Sequence, residues 1–386
     1  MRALVVVSAL ASLFSTDAPT HVMRPSVRTP TAERQRGLRV PPGFAVSVFA
    51  RGLGSPRILA ATDEGDLYVS RRDEGDVVLL GDRDRDGRAD GAPRTVLTRA
   101  GAHGLALRGD ELWIATVREV LVARRRPDGT LEAPRVVVRD LPPGGNHPNR
   151  TLAFGPDGRL YVSVGSTCNA CEEPNPESAT LLRFAADFSS RTIYARGLRN
   201  TIGFAWHPTT GALWGVDHGT DWLGDDAPPE ELNLLVEGGH YGWPYLYDGN
   251  RPLPADFVAQ KGAAWLAAFA REARPPILGF TAHAAPMQLV FATKTRFPEG
   301  YRGDAFFSFR GSWNRRPPSG YEVARVRFDG DGNPTAFEPF LTGFLVDGGA
   351  ATFGRPVGLA VAADGALLVG DDTNGVIYRV AAASGR

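Results

Sequence analysis

The 386-residue chain has little cysteine, little methionine and no net charge. Lys+Arg and Asp+Glu are both 43, so the formal charge is zero. No long basic run occurs, which argues against nucleic acid or an anionic membrane as the main partner. Long apolar runs are also missing, with one exception. Ala3 to Phe14 is an apolar stretch after Arg2, followed by small and polar residues. It is too short for a transmembrane helix and has the form of a secretory signal peptide. The expectation is a signal peptide over 1–20, no membrane span once it is removed, and a periplasmic or secreted protein. Residues 21–39, rich in Pro, Thr and Arg, read as a disordered leader.

The two cysteines, Cys168 and Cys171, lie in GSTCNACEEP. Glu172 follows the second, which excludes the CxxCH of a haem attachment site. Two thiolates alone do not make a tetrahedral zinc site. A short-loop disulfide is the simplest reading in an exported protein, the alternative being two free thiols in a turn.

What the chain has in abundance is turns and short strands. Turn residues followed by an apolar, often aromatic strand recur as DEGDLYVSRR, RGDELWIATV, GPDGRLYVSVG, PTTGALWGVD, YRGDAFFSFRG and AADGALLVGDD. The anchors Leu67, Leu112, Leu160 and Leu213 are 45, 48 and 53 residues apart, and Ala305 and Leu367 follow at gaps of 92 and 62. Most copies have an apolar strand before them (HGLAL, RTLAF, IGFAW, MQLVF, VGLAV) and another after. Repeats of this length are propeller blades, and six copies predict an all-β, six-bladed β-propeller over 40–381. The lone strand FAVSVFA (44–50) is expected to pair with VIYRV (376–380) and latch the ring. The long gap before Ala305 holds an inserted loop, roughly 223–285, in which GAAWLAAFARE reads as a short helix.

Repeat phase places polar residues from several blades around one axis. They are His103 before GLAL, His147 and Arg150 before LAF, Arg199 and Asn200 before the next inner strand, Arg310 after FFSF, and Arg355 before VGLAV. Three of these arginines, Arg199, Arg310 and Arg355, facing one cavity in a neutral protein point to a multiply anionic ligand. His147, in GGNHPNR, would ordinarily be a turn residue. With the others in phase it becomes a candidate general base.

These motifs resemble the soluble PQQ-dependent glucose/sorbosone dehydrogenase family, in its sorbosone-dehydrogenase-like branch. The resemblance covers about residues 38–381. It rests on PPGFAVSVFARGL, GGNHPNRTLAFGPDGRLYVSVGSTCNACEE, ARGLRNTIGFAWHPTTGALW, DHGTDWLGDDAPPEELN, YGWP, FRGSWNR and GRPVGLAVAADGALLVGDD. It implies an exported quinoprotein that oxidises an aldose or sugar-derived aldehyde by hydride transfer to PQQ and passes electrons to an external acceptor. His147 matches the family's catalytic histidine. Arg199, Asn200, Arg310 and Arg355 match positions that contact PQQ, and Gly219 and Thr220 match backbone carbonyls that hold its Ca²⁺. There are departures. Asn146 stands where the glucose enzymes have an aspartate, Arg310 where they have a lysine, Thr220 where they have a proline, and Val357 where they have a second arginine.

Other candidates are weaker. Asp82, Asp84, Asp86 and Asp90 have the spacing of the start of a calcium loop, but position 12 is Pro93, so a solvated turn competes with structural Ca²⁺. Asp217, Asp221, Asp225 and Asp226 form an acidic loop that either ligates a metal or, slightly favoured, caps the PPEELN turn. His103, Asn146 and Trp243 are candidate substrate contacts. The competing reading is a quinone-free propeller that binds a glycan or protein partner. A metal-dependent lactonase is disfavoured, because the axis-facing set is mostly basic.

Overall fold

The structure, a computed structural model, describes residues 19–383. The expected signal peptide lies outside the described residues except for its last two positions. Six antiparallel sheets follow one another along the chain. Blade 1 holds the strands Leu59–Ala61, Asp66–Arg71, Asp76–Gly81 and Arg94–Thr98. Blade 2 runs from Gly104 to Val138, blade 3 from Arg150 to Arg196, and blade 4 from Gly203 to Phe280. Blade 5 runs from Pro286 to Leu341, and blade 6 from Pro356 to Ala382.

The first strands of the six blades neighbour one another in order, and that of blade 6 returns to that of blade 1. Glycine makes this close approach possible. A Cβ on Gly203 would sit 2.3 Å from Met287 O, and one on Gly358 would sit 2.5 Å from Arg57 O. At the axis the Gln288 amide ties three blades together. Its Oε1 accepts from Leu59 N–H (3.2 Å) and Leu359 N–H (2.9 Å), and its Nε2 donates to Leu59 O (3.1 Å).

Between blades the sheet faces bury continuous apolar layers. One holds Phe306, Phe340, Phe344, Phe353 and Tyr378. Each such side chain contributes about 1.5–3 kcal/mol on leaving water. The strand Phe44–Ala50 pairs with Val376–Ala382, Val46 opposite Val380, and so completes blade 6 and closes the ring as expected.

Two expectations need revision. The insertion is narrower than 223–285, because Glu230–Leu235 and Leu278–Phe280 are strands of blade 4. What lies between them carries the helices Asp256–Ala259 and Ala263–Glu272 on a small core of its own, with Leu246, Val258 and Leu266. Residues 21–39, expected to be disordered, are docked by backbone pairing. Ser26–Val27 pairs with Ala351–Thr352, Met23 N–H donates to Trp313 O (3.0 Å), and Ala32–Arg36 is a helix capped by Thr31.

Candidate active site

The segment Gly144–Arg150 enters the first strand of blade 3 at the end of the ring where the site residues gather. Its glycines permit close packing. Gly145 has φ 51°, and a Cβ there would lie 2.3 Å from Thr167 Cα. Arg150, fully buried, fastens the loop from below. It donates to His147 O (2.9 Å), Pro142 O (2.9 Å) and Pro143 O (3.3 Å).

His147 Nδ1 lies 3.0 Å from Ser166 O and 2.8 Å from Ser166 Oγ. The carbonyl can only accept, and the Ser166 hydroxyl donates to Cys168 O (2.7 Å). Nδ1 therefore carries the proton, and Nε2 keeps its lone pair. Burial lowers the His147 pKa to about 3, helped by the nearby Arg199 and His218 and opposed by the Ser166 bond. The imidazole is neutral at neutral pH, the state a base requires.

Blades 5, 6 and 1 together build a cationic cluster. Asp372 Oδ2 accepts from both Arg310 Nε (2.6 Å) and Arg57 Nη1 (2.5 Å). The Arg355 guanidinium bonds no carboxylate among the described residues, although its backbone N–H donates to Asp371 Oδ1 (2.8 Å). It donates to Arg310 O (3.0 Å) and Gly311 O (2.6 Å). Burial, and then Arg310, lower the Arg355 pKa to about 10, and burial also lowers that of Arg57. Two guanidinium groups thus share the Asp372 carboxylate with a third beside them, and Arg57 Nε has no partner among the described residues. Arg310 and Arg355 line a cleft of about 440 Å³, walled also by Arg24, Trp313 and Tyr321.

Arg199 and Asn200 sit at the head of blade 4's first strand, their N–H groups both held by Asp217 (2.8 Å each). The Arg199 side chain is committed to Asn169 O (3.0 Å), Asn169 Oδ1 (2.8 Å) and Asp221 Oδ2 (2.9 Å). It lines a narrow pocket with His218, Gly219, Thr220 and Trp243. Gly219 N–H is held by Glu230 Oε2 (2.8 Å), which fixes the Gly219–Thr220 turn.

Several expected contacts fall elsewhere. His103 is wholly enclosed, with Nδ1 3.0 Å from Arg150 O, so it lies out of reach of a substrate at the open face. Its Nε2 has no partner. Trp243 is mostly buried, donates to Asn169 O (3.2 Å) and lines the Arg199 pocket. Asn146 is exposed on its loop. The acidic loop does not cap PPEELN. Asp221 binds Arg199 and Asn314, Asp225 binds His21, and Asp226 binds Arg315.

In blade 1 the carboxylates of Asp82, Asp84 and Asp86 converge within 4.8 Å. Asp90 is not among them, since its carboxylate takes Arg83 N–H (3.0 Å). Cys168 and Cys171 form a disulfide, on whose loop Asn169 joins Arg199, Asp221 and Trp243.

Sequence reasoning missed Arg57 and Asp372. Arg57 lies in GSPRILA, a first strand without the glycine pattern of its counterparts, and Asp372 is the second acid of a turn. Their position next to inner strands was the available signal.

A family profile described as TrAA12-like matches residues 38–383. The chain is 25% identical over 394 aligned positions to a pyrroloquinoline quinone-dependent sugar dehydrogenase of Hypocrea jecorina, covering 87% of each chain. It is 27% identical to an uncharacterized protein of Borreliella burgdorferi, covering 89% of this chain and 90% of that one. In fold it resembles the Trichoderma reesei carbohydrate-active family AA12 enzyme, with TM-score 0.78, 24% identity, and coverage of 93% of this chain and 100% of that one.

Proposed function

The chain belongs to the TrAA12-like family, and on that premise we propose that it is a quinoprotein sugar oxidoreductase that uses PQQ. The observation that carries this is the charge balance of the Arg57–Arg310–Arg355 cluster, whose three guanidinium groups between them bond a single carboxylate, that of Asp372, among the described residues. Such a cluster calls for an anion, and a planar tricarboxylate meets guanidinium forks well. Arg57 supplies the cation that Val357 cannot. Val357 is fully buried against Ile202 and Met287, whereas Arg57 reaches the cluster from the neighbouring blade.

In this reading Arg57, Arg310 and Arg355 would hold the carboxylates of PQQ, and Arg199 and Asn200 would be further contacts to it. The carbonyls of Gly219 and Thr220, in the turn fixed by Glu230, supply hard oxygen donors for Ca²⁺. PQQ supplies the two-electron acceptor, a capacity no side chain has. His147 Nε2 takes the proton of the substrate hydroxyl, and Ser166 fixes the tautomer that leaves this nitrogen free. Arg150 keeps His147 at its height above the ring. The donor is an aldose or sugar-derived aldehyde, with electrons leaving to an external acceptor. The Cys168–Cys171 disulfide fits an oxidising compartment and supports export.

The test is a titration of the purified protein with PQQ and Ca²⁺, followed by quinone absorbance and dye-linked oxidation of a panel of aldoses. Stoichiometric binding with turnover is expected. A folded protein that takes no PQQ in excess Ca²⁺ would overturn the proposal.

A further inference from the structure

Trp222 holds a position that packing does not explain. Its backbone is left-handed, φ 73°, which is costly for a bulky residue. Its side chain is 52% exposed. The loop is pinned on both sides of it. Before it, the Asp221 carboxylate accepts from Arg199 (2.9 Å) and Asn314 (3.0 Å), and the Asp221 N–H and C=O both bond the Asn169 amide (2.9 and 3.2 Å). After it, Gly224 N–H donates to Thr20 Oγ1 (3.1 Å), and the Asp225 carboxylate accepts from His21 N–H (2.8 Å) and lies 2.6 Å from His21 Nδ1. A strained, exposed indole held by this many bonds has been placed for contact with something outside the chain.

Its surroundings say what. The ring meets Trp313 edge-on, centroids 5.1 Å apart and planes at 79°. Arg24, on the docked N-terminal arm, lies over Trp313 at 5.4 Å. Trp313 and Arg24 line the Arg310–Arg355 cleft. Through Asn169 and the disulfide loop, the same loop is tied to Ser166, which orients His147. One indole thus lines a cationic cleft, and a second, half exposed, packs against it. A flat amphipathic indole beside hydrogen-bonding donors suits a ligand with one apolar face and a hydroxylated edge, and a pyranose ring is of that kind.

We propose that Trp222 and Trp313 form the sugar platform of this protein, with Trp222 stacking on a pyranose ring and Arg24 donating to its hydroxyls. The class of ligand rests on the sugar-oxidising reading above. The site itself rests on the strain, exposure and bonding of the loop.

The experiment is saturation-transfer NMR of the full chain with a panel of aldoses and short oligosaccharides, which needs no turnover. It compares wild type, Trp222→Ala and Trp222→Phe. Wild type and Trp222→Phe are expected to bind, and Trp222→Ala to lose at least about 10-fold in affinity. Trp222→Gly, which relieves the left-handed strain, is expected to fold and to bind as poorly as the alanine variant. Equal binding by Trp222→Ala, or no sugar signal from wild type, would overturn the platform. PQQ uptake, followed by absorbance in the same variants, is expected to be unchanged. If wild type takes PQQ and oxidises sugars while Trp222→Ala keeps its KM, the platform falls and the enzyme reading stands. If sugars bind through Trp222 but PQQ does not bind, the platform stands and the enzyme reading falls.

Discussion

Replacing Arg150 by methionine keeps the stem but removes every donor from beneath the His147 loop. Three hydrogen bonds go, to His147 O, Pro142 O and Pro143 O. Bonds from a charged group contribute about 1.5–3 kcal/mol each, and unmade partners cost about as much. Against this stands the cost of burying a cation with no carboxylate partner, visible in a pKa that burial lowers to about 10. The net loss should be about 2–4 kcal/mol. Unfolding entropy is about 2.1 cal/mol/K per residue, or ~0.7 kcal/mol/K over roughly 350 residues. The midpoint of a calorimetric scan should therefore fall by about 3–6 °C. Under the proposed function, kcat in dye-linked turnover should also fall by at least ~10-fold, because the base loses its placement while the sugar platform does not. A midpoint unmoved within about 1 °C would show that the three carbonyls do not depend on Arg150. A lowered midpoint with unchanged kcat would show that the loop does not position the base.

His147→Ala should abolish dye reduction while PQQ binding and the melting midpoint are kept; full activity would remove His147 from the role of base. Arg57→Gln should weaken PQQ binding at least ~10-fold by quinone-absorbance titration, and unchanged affinity would mean the cation missing at Val357 is not replaced from blade 1. His103 and His147 are both held near pKa 3 by burial, below the ordinary 6.5. At these two positions the unfolded chain then binds more protons than the folded one below about pH 6.5, so their contribution to stability should decline as pH falls from there towards 3, by about 1.4 kcal/mol per unit for each group. Urea midpoints of His103→Gln between pH 4 and 7 should show a shallower slope than wild type, and an identical slope would count against a neutral His103.

The ring was legible because each blade repeats a turn, an aromatic strand and a spacing, and because an orphan strand at one end needs a partner at the other. The positions of His147, Arg199 and Arg355 at the heads of inner strands were legible for the same reason, since each lies within four residues of a strand start. What was not legible depends on contacts far apart in sequence. Asp372 is shared by Arg57 and Arg310, 315 and 62 residues away, and no local pattern marks such a pair. The polar 21–39 segment looked unable to fold because it carries no periodic apolar face. It is ordered by the edges it meets, at Trp313, Ala351–Thr352 and Asp225. The acidic residues from Asp217 to Asp226 read alike in sequence, yet in space Asp217 and Asp221 converge on Arg199 while Asp225 and Asp226 bind His21 and Arg315.

The closure of blade 6 sets a schedule for synthesis. Val46 faces Val380, 334 positions later in the chain (380 − 46). At about 5–20 residues per second, the strand Phe44–Ala50 waits roughly 20–60 s for its partner to be made. During that wait it is a free β edge with an apolar sequence, open to pairing with another nascent copy. In the finished ring one edge of the strand is paired with Val376–Ala382 and the other remains the outer edge of blade 6. The vulnerable species is the incomplete chain, and a stop a few residues before Val376 would leave every copy with an unanswered edge.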